Sequence, residues 1–470
     1  MSGPVLGIVA DDLSGSAECA AHALMRVSRS RVILSIDALP PSRAPHAAVY
    51  AAVDADIAAA IDAVVTVDTD SRRLEADDAV RAVRAAAALV AGAPVVVKKV
   101  DSLLRGHVAA EVAALAEELH RTPVVAVANP ALDRVVRDGV LHVGGTPLHH
   151  TDLWAVEPTA APSRVAEALH PLRTVLVPHT VVALGVDAVG DALAAAAGSG
   201  LVAVCDAVTE ADLEVVHAAA VRATSEVLLV GSGALAAVAA RALPRDPDGL
   251  PLDGAPTAAT GAGAGAGTGT GTAGSVLFVL GTRAPGLPAQ LTQLSAAHSA
   301  QTVLVQPDEL LTDPEAVCVR LAELSRDGVA DVFVVALDPT APADPTRSRA
   351  LTEALADVVA PLLDGYDAAF LSGGETARAV LDRLDVGSLE VLGEIGTGET
   401  GTGSVVSRRP GGRLVVTRPG SFGDPSSLAR VAAHLRGGAP STSPAPGAAQ
   451  TTPTHTATRA VHDATTEENS

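Results

Sequence analysis

At 470 residues, 48% of them hydrophobic, the chain is too long for one ordinary core and long enough to build two. Its formal net charge of −21, from 33 basic against 54 acidic residues, argues against a nucleic-acid binder or a protein drawn to anionic membranes, each of which needs a basic face. Cys19, Cys205 and Cys318 are far apart and make no C-x-x-C, so no disulfide framework or zinc ribbon is expected. The N-terminus meets Asp11 without the basic and apolar regions of a signal peptide, and the expected location is the cytoplasm. Homodimerisation is compatible with this composition.

Apolar runs of strand length alternate along the chain with Ala-rich helical stretches, which predicts an α/β class. "VLGIVA" (5–10) reads as a strand before the helix "SAECAAHALMRV", and "PVVVKKV" (94–100) as a strand before "AAEVAALAEELHR". "EVLLVGSG" (226–233) precedes "ALAAVAARAL" in the same way. The Gly/Ala/Thr-rich segment 254–274 cannot bury a core and reads as a flexible linker. After it come "SVLFVLG", "DVFVVAL" and "AAFLSGGETARAVLDRL", and "SVVSRRPGGRLVV" (404–416) reads as strand. From 437 onward the Pro/Thr/Ser-rich chain predicts a disordered tail. The expected organisation is therefore two α/β domains, 1–253 and 275–436, joined by the linker and followed by the tail 437–470.

Some familiar motifs are absent or misplaced. Neither lysine lies in a Gly-Lys-Ser/Thr loop, and the G-x-G-x-x-G matches at Gly269 and Gly396 lack the strand-before, helix-after context of a dinucleotide site. His149 and His150 are adjacent, a poor spacing for shared metal ligation. The informative positions are strand-to-helix junctions, where α/β proteins bind ligands. Asp11 and Asp12 follow the first strand, with Ser14 at the helix entry; Asp12 or Ser14 could equally be a helix cap. In "LSGGETA", Gly373 and Gly374 allow backbone amides to approach a phosphate at a helix N-terminus, while Glu375 could instead answer the helix dipole itself. Gly281 and Thr282 form a similar junction, and Gly420 lies in a Pro-Gly turn.

The chain contains only two lysines, Lys98 and Lys99, against 31 arginines. They end an apolar strand in "VVVKKVDSLLRGH". Period-two alternation puts Lys99 and Asp101 on one side and Lys98 on the other, with Ser102 and Arg105 following and then a helix carrying Glu111. A compact ammonium suits tight contact with a carboxylate or a transferring phosphoryl group better than a planar guanidinium does.

These segments together resemble the four-carbon acid sugar kinases. "ADDLSGSAE" (10–18) is similar to that family's Asp-Asp-x-Thr-Gly-Ala opening, with Ser14 for Thr. "VDTDSRRL" (67–74) is similar to its Thr-x-Ser-Arg segment, which singles out Arg72. "KKVDSLLRGHVAAE" (98–111) is similar to Lys-Lys-x-Asp-Ser-Thr-Leu-Arg-Gly-Asn, with Leu103 for Thr and His107 for Asn. "NPALDRVVRDGVLHVGGTPLHHTDL" (129–153) and "GSGALAAVAAR" (231–241) also match. Two segments depart: Gly281-Thr282-Arg283-Ala284 stands where Gly-Ser-x-Ser is usual, and "GTGETGTG" (396–403) replaces a Pro-Gly-x-Pro loop.

The resemblance implies an ATP- and Mg²⁺-dependent kinase, with a sugar acid such as threonate, erythronate or 3-oxo-tetronate in the N-terminal domain and nucleotide in the C-terminal one. Asp12 or Asp101 would then orient or deprotonate the hydroxyl. Lys99, Arg105 and Arg72 would hold the carboxylate or neutralise the γ-phosphoryl group, and Asp11, Ser14, Lys98 and Ser102 would also contact substrate. Thr282, Gly373, Gly374, Glu375, Thr376 and Gly420 would cradle the nucleotide. The metal ligands are left unassigned. A kinase of another sugar acid or polyol, or a non-catalytic ligand-binding relative, are the alternatives.

Overall fold

A computed structural model describes residues 4–34, 64–155, 157, 159–223, 226–245, 273–327, 330–342, 344–395, 403–420 and 423–437. The expected linker, all but its last two residues, the tail beyond Gly437 and most of the 396–403 loop lie outside the described residues. The first half contributes strands β1 (Leu6–Ala10), β2 (Ser30–Ile33), β3 (Val64–Asp68), β4 (Val95–Lys99), β5 (Thr122–Ala126), β6 (Arg134–Arg137), β7 (Val140–Val143), β8 (Thr146–Pro147), β9 (Thr174–Val177), β10 (Val202–Cys205) and β11 (Val227–Gly231). The second half adds β12 (Val276–Leu280), β13 (Ala300–Val305), β14 (Val332–Leu337), β15 (Ala368–Ser372), β16 (Ser388–Ile395), β17 (Ser404–Arg408) and β18 (Leu414–Arg418). Three helices position the site: α1 (Leu13–Ala23), α2 (Val108–Leu119) and α3 (Gly374–Arg383). Among the described residues, no helix is long and apolar enough to cross a membrane.

Fifteen strands form one sheet, in the order β13-β14-β12-β15-β18-β17-β16-β2-β3-β1-β4-β11-β5-β10-β9. The run from β2 to β9 is parallel, as is the run from β13 to β18. Their Val- and Leu-rich strands are buried on both faces, as parallel strands under helices must be. The hairpin β16–β17 is antiparallel and links the two runs through the antiparallel pair β16–β2, where Val32 lies opposite Leu389. A small separate sheet, β6-β7-β8, flanks the first half.

The two halves are therefore not joined by a linker alone. Besides sharing a sheet, they share a core: Leu13, Ala17 and Ala20 of α1, with Val32 and Leu34, pack with Leu371, Leu389, Val391, Val405 and Val415 of the second half. Ala273, within the expected linker, is buried and its N–H bonds Leu435 O.

Each parallel run has a point where strand order reverses, at β1 between β3 and β4 and at β12 between β14 and β15. Ligand crevices form at such points. Six interstrand steps separate β1 from β15. At roughly 20° of twist per step they accumulate on the order of 120°. The carboxyl ends of the two oppositely directed runs meet where Gly374 approaches Ser14 and Asp12.

Val32→Pro should test the shared sheet. The substitution removes an N–H from a strand with neighbours on both sides, and an orphaned buried carbonyl alone costs about 1–3 kcal/mol. Calorimetry should show a lower-melting transition or two separate ones. A single transition at the wild-type temperature would mean that the β2–β16 pairing contributes nothing to coupling the halves.

Candidate active site

The carboxyl ends of β1, β3 and β4 carry the ionic cluster. Asp12 occupies the N-cap position of α1 with an extended backbone, yet its side chain caps nothing. Instead, Arg72 spans the acidic pair: its Nε donates to Asp11 Oδ2 at 2.7 Å and its Nη2 to Asp12 Oδ1 at 2.8 Å. Lys99 Nζ donates to the same Asp12 oxygen at 2.8 Å and to Asp11 Oδ1 at 3.4 Å. The ammonium fits because residue 15 is Gly. A Cβ there would overlap Lys99 Nζ and Cε and lie 2.8 Å from Asp12 Oδ1.

Burial by itself raises the carboxyl pKa of Asp11, but Arg72 and Lys99 outweigh it and hold the group far below the ordinary carboxylate range. Asp12 is lowered by the same balance of burial against Arg72 and Lys99. Burial would lower the Lys99 pKa, but Asp12 and Asp11 more than reverse this and raise it. The cluster is thus fully ionised at neutral pH.

The two candidate carboxylates differ in what remains free. Asp101 Oδ2 accepts from the N–H groups of Leu103 and Arg105, each at 3.2 Å, and from Arg105 Nε at 2.7 Å. Its Oδ1 accepts from Arg105 Nη2 at 2.9 Å. Both oxygens are thus committed to fixing the 101–105 loop. Asp12 Oδ2, by contrast, has no partner among the described residues, and it lies 3.4 Å from where a Cβ on Gly374 would stand.

Lys98, expected to touch substrate, does not reach this crevice. It is fully buried on the opposite face of β4, paired to Glu111 Oε2 at 2.6 Å and donating to Lys99 O at 3.1 Å. Glu111 Oε1 accepts from Ser71 Oγ, which lies 2.7 Å from Thr69 Oγ1, itself 2.8 Å from Ala10 O. The relay pins the ends of β1, β3 and β4 from behind, which is a structural position and not a ligand contact. Ser102 takes a hydrogen bond from Arg134 Nη1.

Across the crevice stand the Gly-rich junctions of the second half. Gly373 has φ of 99°, a conformation that glycine adopts without strain, and caps the start of α3. A Cβ on Gly420 would lie 3.0 Å from Thr282 Cβ and 3.5 Å from Gly373 Cα, so these three positions converge. Thr282 Oγ1 accepts from Ala284 N, and Thr376 is buried one turn into the helix, against Gly281. Glu375 does not turn back on its own helix: it pairs with Arg73 of the first half at 2.7 Å. Arg378 likewise reaches Asp68 Oδ2 at 2.9 Å and Leu34 O at 2.7 Å. The amino ends of α1 and α3 thus meet, with Ser14 Oγ buried, unpartnered and 2.9 Å from a would-be Gly374 Cβ.

The sequence expectations did not include Arg73, Asp68, Arg134 or Arg378. Arg73 adjoins Arg72, and Arg378 lies three residues past Glu375, one turn along the same helix face. Those spacings were the available signals, but the partners are far away in sequence.

Two crevices facing each other, one ionic and one lined by backbone at a helix amino end, define an α/β protein built to bring a polar small molecule to a phosphate-bearing one. The family described as "Sugar-binding N-terminal domain" matches residues 6–239, and that described as "Nucleotide-binding C-terminal domain" matches 277–428. A D-threonate kinase from Cupriavidus necator is 31% identical over 431 residues, spanning 90% of this chain and 95% of the relative. A D-threonate kinase from Bordetella bronchiseptica is 31% identical over 449 residues, spanning 93% and 98%. A D-erythronate kinase from Heliobacterium modesticaldum is 32% identical over 203 residues, 40% of this chain and 45% of the relative. A solved structure from Salmonella typhimurium LT2 has the same fold, with a TM-score of 0.67 at 20% identity over 92% of this chain and 99% of that one. The chain belongs to the four-carbon acid sugar kinase family.

Gly15→Ala should expel the Lys99 ammonium from its slot. A displacement of about 1 Å at a reacting centre can cost on the order of 100-fold, so steady-state kcat/KM should fall by about that factor while ATP affinity is retained. Wild-type kcat/KM in this variant would show that the slot is not needed.

Proposed function

We propose that this kinase transfers the γ-phosphoryl group of ATP to a hydroxyl of D-threonate or a closely similar four-carbon sugar acid. Two relatives matched over nearly their whole length bear that substrate in their names. The carrying observation is Asp12 Oδ2, an unpartnered carboxylate oxygen where the amino ends of α1 and α3 meet. Asp101 has no oxygen to spare, so Asp12 is the carboxylate assigned to the hydroxyl. With its pKa held low, Asp12 orients the acceptor more than it abstracts a proton. That is sufficient, because phosphoryl transfer through a loose transition state depends on positioning and charge stabilisation.

Arg72 and Lys99 face the same point and would answer the charge that develops on the phosphoryl oxygens. Gly281, Thr282, Gly373, Gly374 and Gly420 would approach the nucleotide phosphates through their backbone, with the amino end of α3 favouring negative charge. Mg²⁺ would neutralise part of the phosphate charge. Among the described residues, no group of three or more acidic, His or Cys side chains would cage it. The donor set therefore fits an ion held chiefly by the phosphates, as Mg²⁺ at such sites usually is. Asp12 Oδ2 is a free protein oxygen where the amino ends of the two helices meet. Three free cysteines suit the cytoplasm as its compartment.

A panel of D-threonate, D-erythronate, 3-oxo-tetronate and a pentonate, each with ATP, tests the substrate. Turnover should be greatest with a four-carbon acid; turnover confined to the pentonate would replace it. Lys99→Arg tests the site. The guanidinium is too large for the slot over Gly15, so activity should collapse although the charge is kept. Lys99→Met should lose about 3–5 kcal/mol of transition-state stabilisation, roughly a hundred- to several-thousandfold in kcat/KM. Near wild-type kinetics in Lys99→Arg would refute the point-charge role.

A further inference from the structure

The cations around the crevice are nearly all spoken for. Arg72 and Lys99 are paired to Asp11 and Asp12, Arg105 to Asp101, Lys98 to Glu111 and Arg73 to Glu375. A sugar acid brings one more negative charge into a protein of net charge −21, and each of these cations already faces a carboxylate. Arg134 differs. It lies beside the same loop, its Nη1 donating to Ser102 Oγ, and it has no ion pair among the described residues. Its Nε is buried without any hydrogen-bond partner. Burial lowers its pKa, and the pull of nearby Asp101 does not make up the difference, partly because Arg105 is a like charge close by.

An uncompensated guanidinium in this position is held there by the backbone. Asn129 and Arg134 exchange two hydrogen bonds, Asn129 N to Arg134 O at 2.7 Å and Arg134 N to Asn129 O at 3.1 Å. They tether β6 just beyond the carboxyl end of β5, on the same side of the sheet as the crevice ligands. A guanidinium so fixed, with donors free in a partly desolvated place, lacks an anion, and its planar fork matches a carboxylate.

We propose that Arg134 is the residue that binds the carboxylate of the sugar acid, with Ser102 as its orienting partner. The inference deepens the sugar-acid kinase reading and rests on it. The acid is thereby held by its carboxylate near Arg134 and Ser102, leaving a hydroxyl to reach Asp12. This also makes Arg134 the determinant of acid over polyol, since a neutral four-carbon polyol offers the guanidinium no countercharge.

The experiment compares binding of the sugar acid and of the matching neutral polyol, threitol for threonate, by calorimetry, alongside steady-state kinetics at saturating ATP. The wild-type substrate panel first establishes which acid is turned over. If none is, the kinase reading fails independently of Arg134; otherwise Arg134 is scored on the acid that is used. Arg134→Met should raise KM and Kd for the acid by about 10- to 100-fold, leave ATP affinity within about twofold, and change polyol binding little, so that acid-over-polyol discrimination collapses. Arg134→Lys should restore part of it, because the charge returns without the fork. Unchanged discrimination in Arg134→Met, or an equal loss for acid and polyol, would overturn the proposal. Should Arg134→Met fail to fold, Arg134→Lys carries the test: an acid KM raised about 10-fold with kcat kept supports the role, and wild-type KM refutes it.

Discussion

The active crevice depends on Arg72 bridging two adjacent aspartates. Asp11 and Asp12 follow one strand directly, and both are drawn out of water, where two neighbouring carboxylates cannot stay ionised without opposite charge. Arg72, delivered by the turn after β3, contacts both, and Lys99, from the end of β4, contacts both from the other side. Three strands that are neighbours only because of the sheet order are thereby locked at their carboxyl ends. Buried ion pairs of this kind add little net stability, since desolvation offsets most of the attraction. What they impose is geometry: remove one member and the others are left charged and unpaired.

That lock would be of little use on one half alone. Helix α1 begins at Asp12 with its polar end in the ionic cluster and buries its apolar face among side chains of the second half. The helix is therefore both the entrance to one crevice and part of the core that carries the other. Arg73–Glu375 and Arg378–Asp68 add cross-contacts at the start of α3, close to the glycines that line the second crevice. The distance between the two crevices is thus set by packing and by a shared sheet, which suits a reaction whose rate depends on alignment across a gap. Any opening of the cleft must work against that core.

Much of this was legible in the chain, for reasons that can be stated residue by residue. Strand–Gly–helix punctuation marked the junctions at Gly281 and Gly373, because only a few residue types permit those turns. Strict alternation along β4 separated Lys98 from Lys99, and the structure turns them to opposite faces. The ambiguity at Asp12 between helix cap and polar site was real at the sequence level, since an aspartate before a helix serves either purpose. Only the contacts of its side chain decide between them. The antiparallel pairing of β2 with β16 was not legible: a four-residue strand, "SRVI", pairs with a segment more than 350 residues away, and nothing local specifies the match. The same holds for Glu375, whose place at a helix start suggested a dipole role until Arg73 from the other half took it. Arg134 lies in the segment 129–153 that matched the family, but its missing partner is visible only in three dimensions.

The two lysines show how one strand end can serve two purposes. Lys98 faces the helices behind the sheet, where its ammonium, Glu111, Ser71 and Thr69 form a chain that ends on Ala10 O. Lys99 faces forward into the acidic pair. The rear chain fixes the backbone on which the front cluster is mounted: Ser71 immediately precedes Arg72, Ala10 immediately precedes Asp11, and Lys99 O is itself bonded by Lys98. In each case a compact ammonium occupies a confined space, against Glu111 on one face and over Gly15 on the other. Over Gly15 a guanidinium would need room that the slot does not have. The preference for lysine at position 99, in a chain that otherwise uses arginine, follows from the confined slot over Gly15.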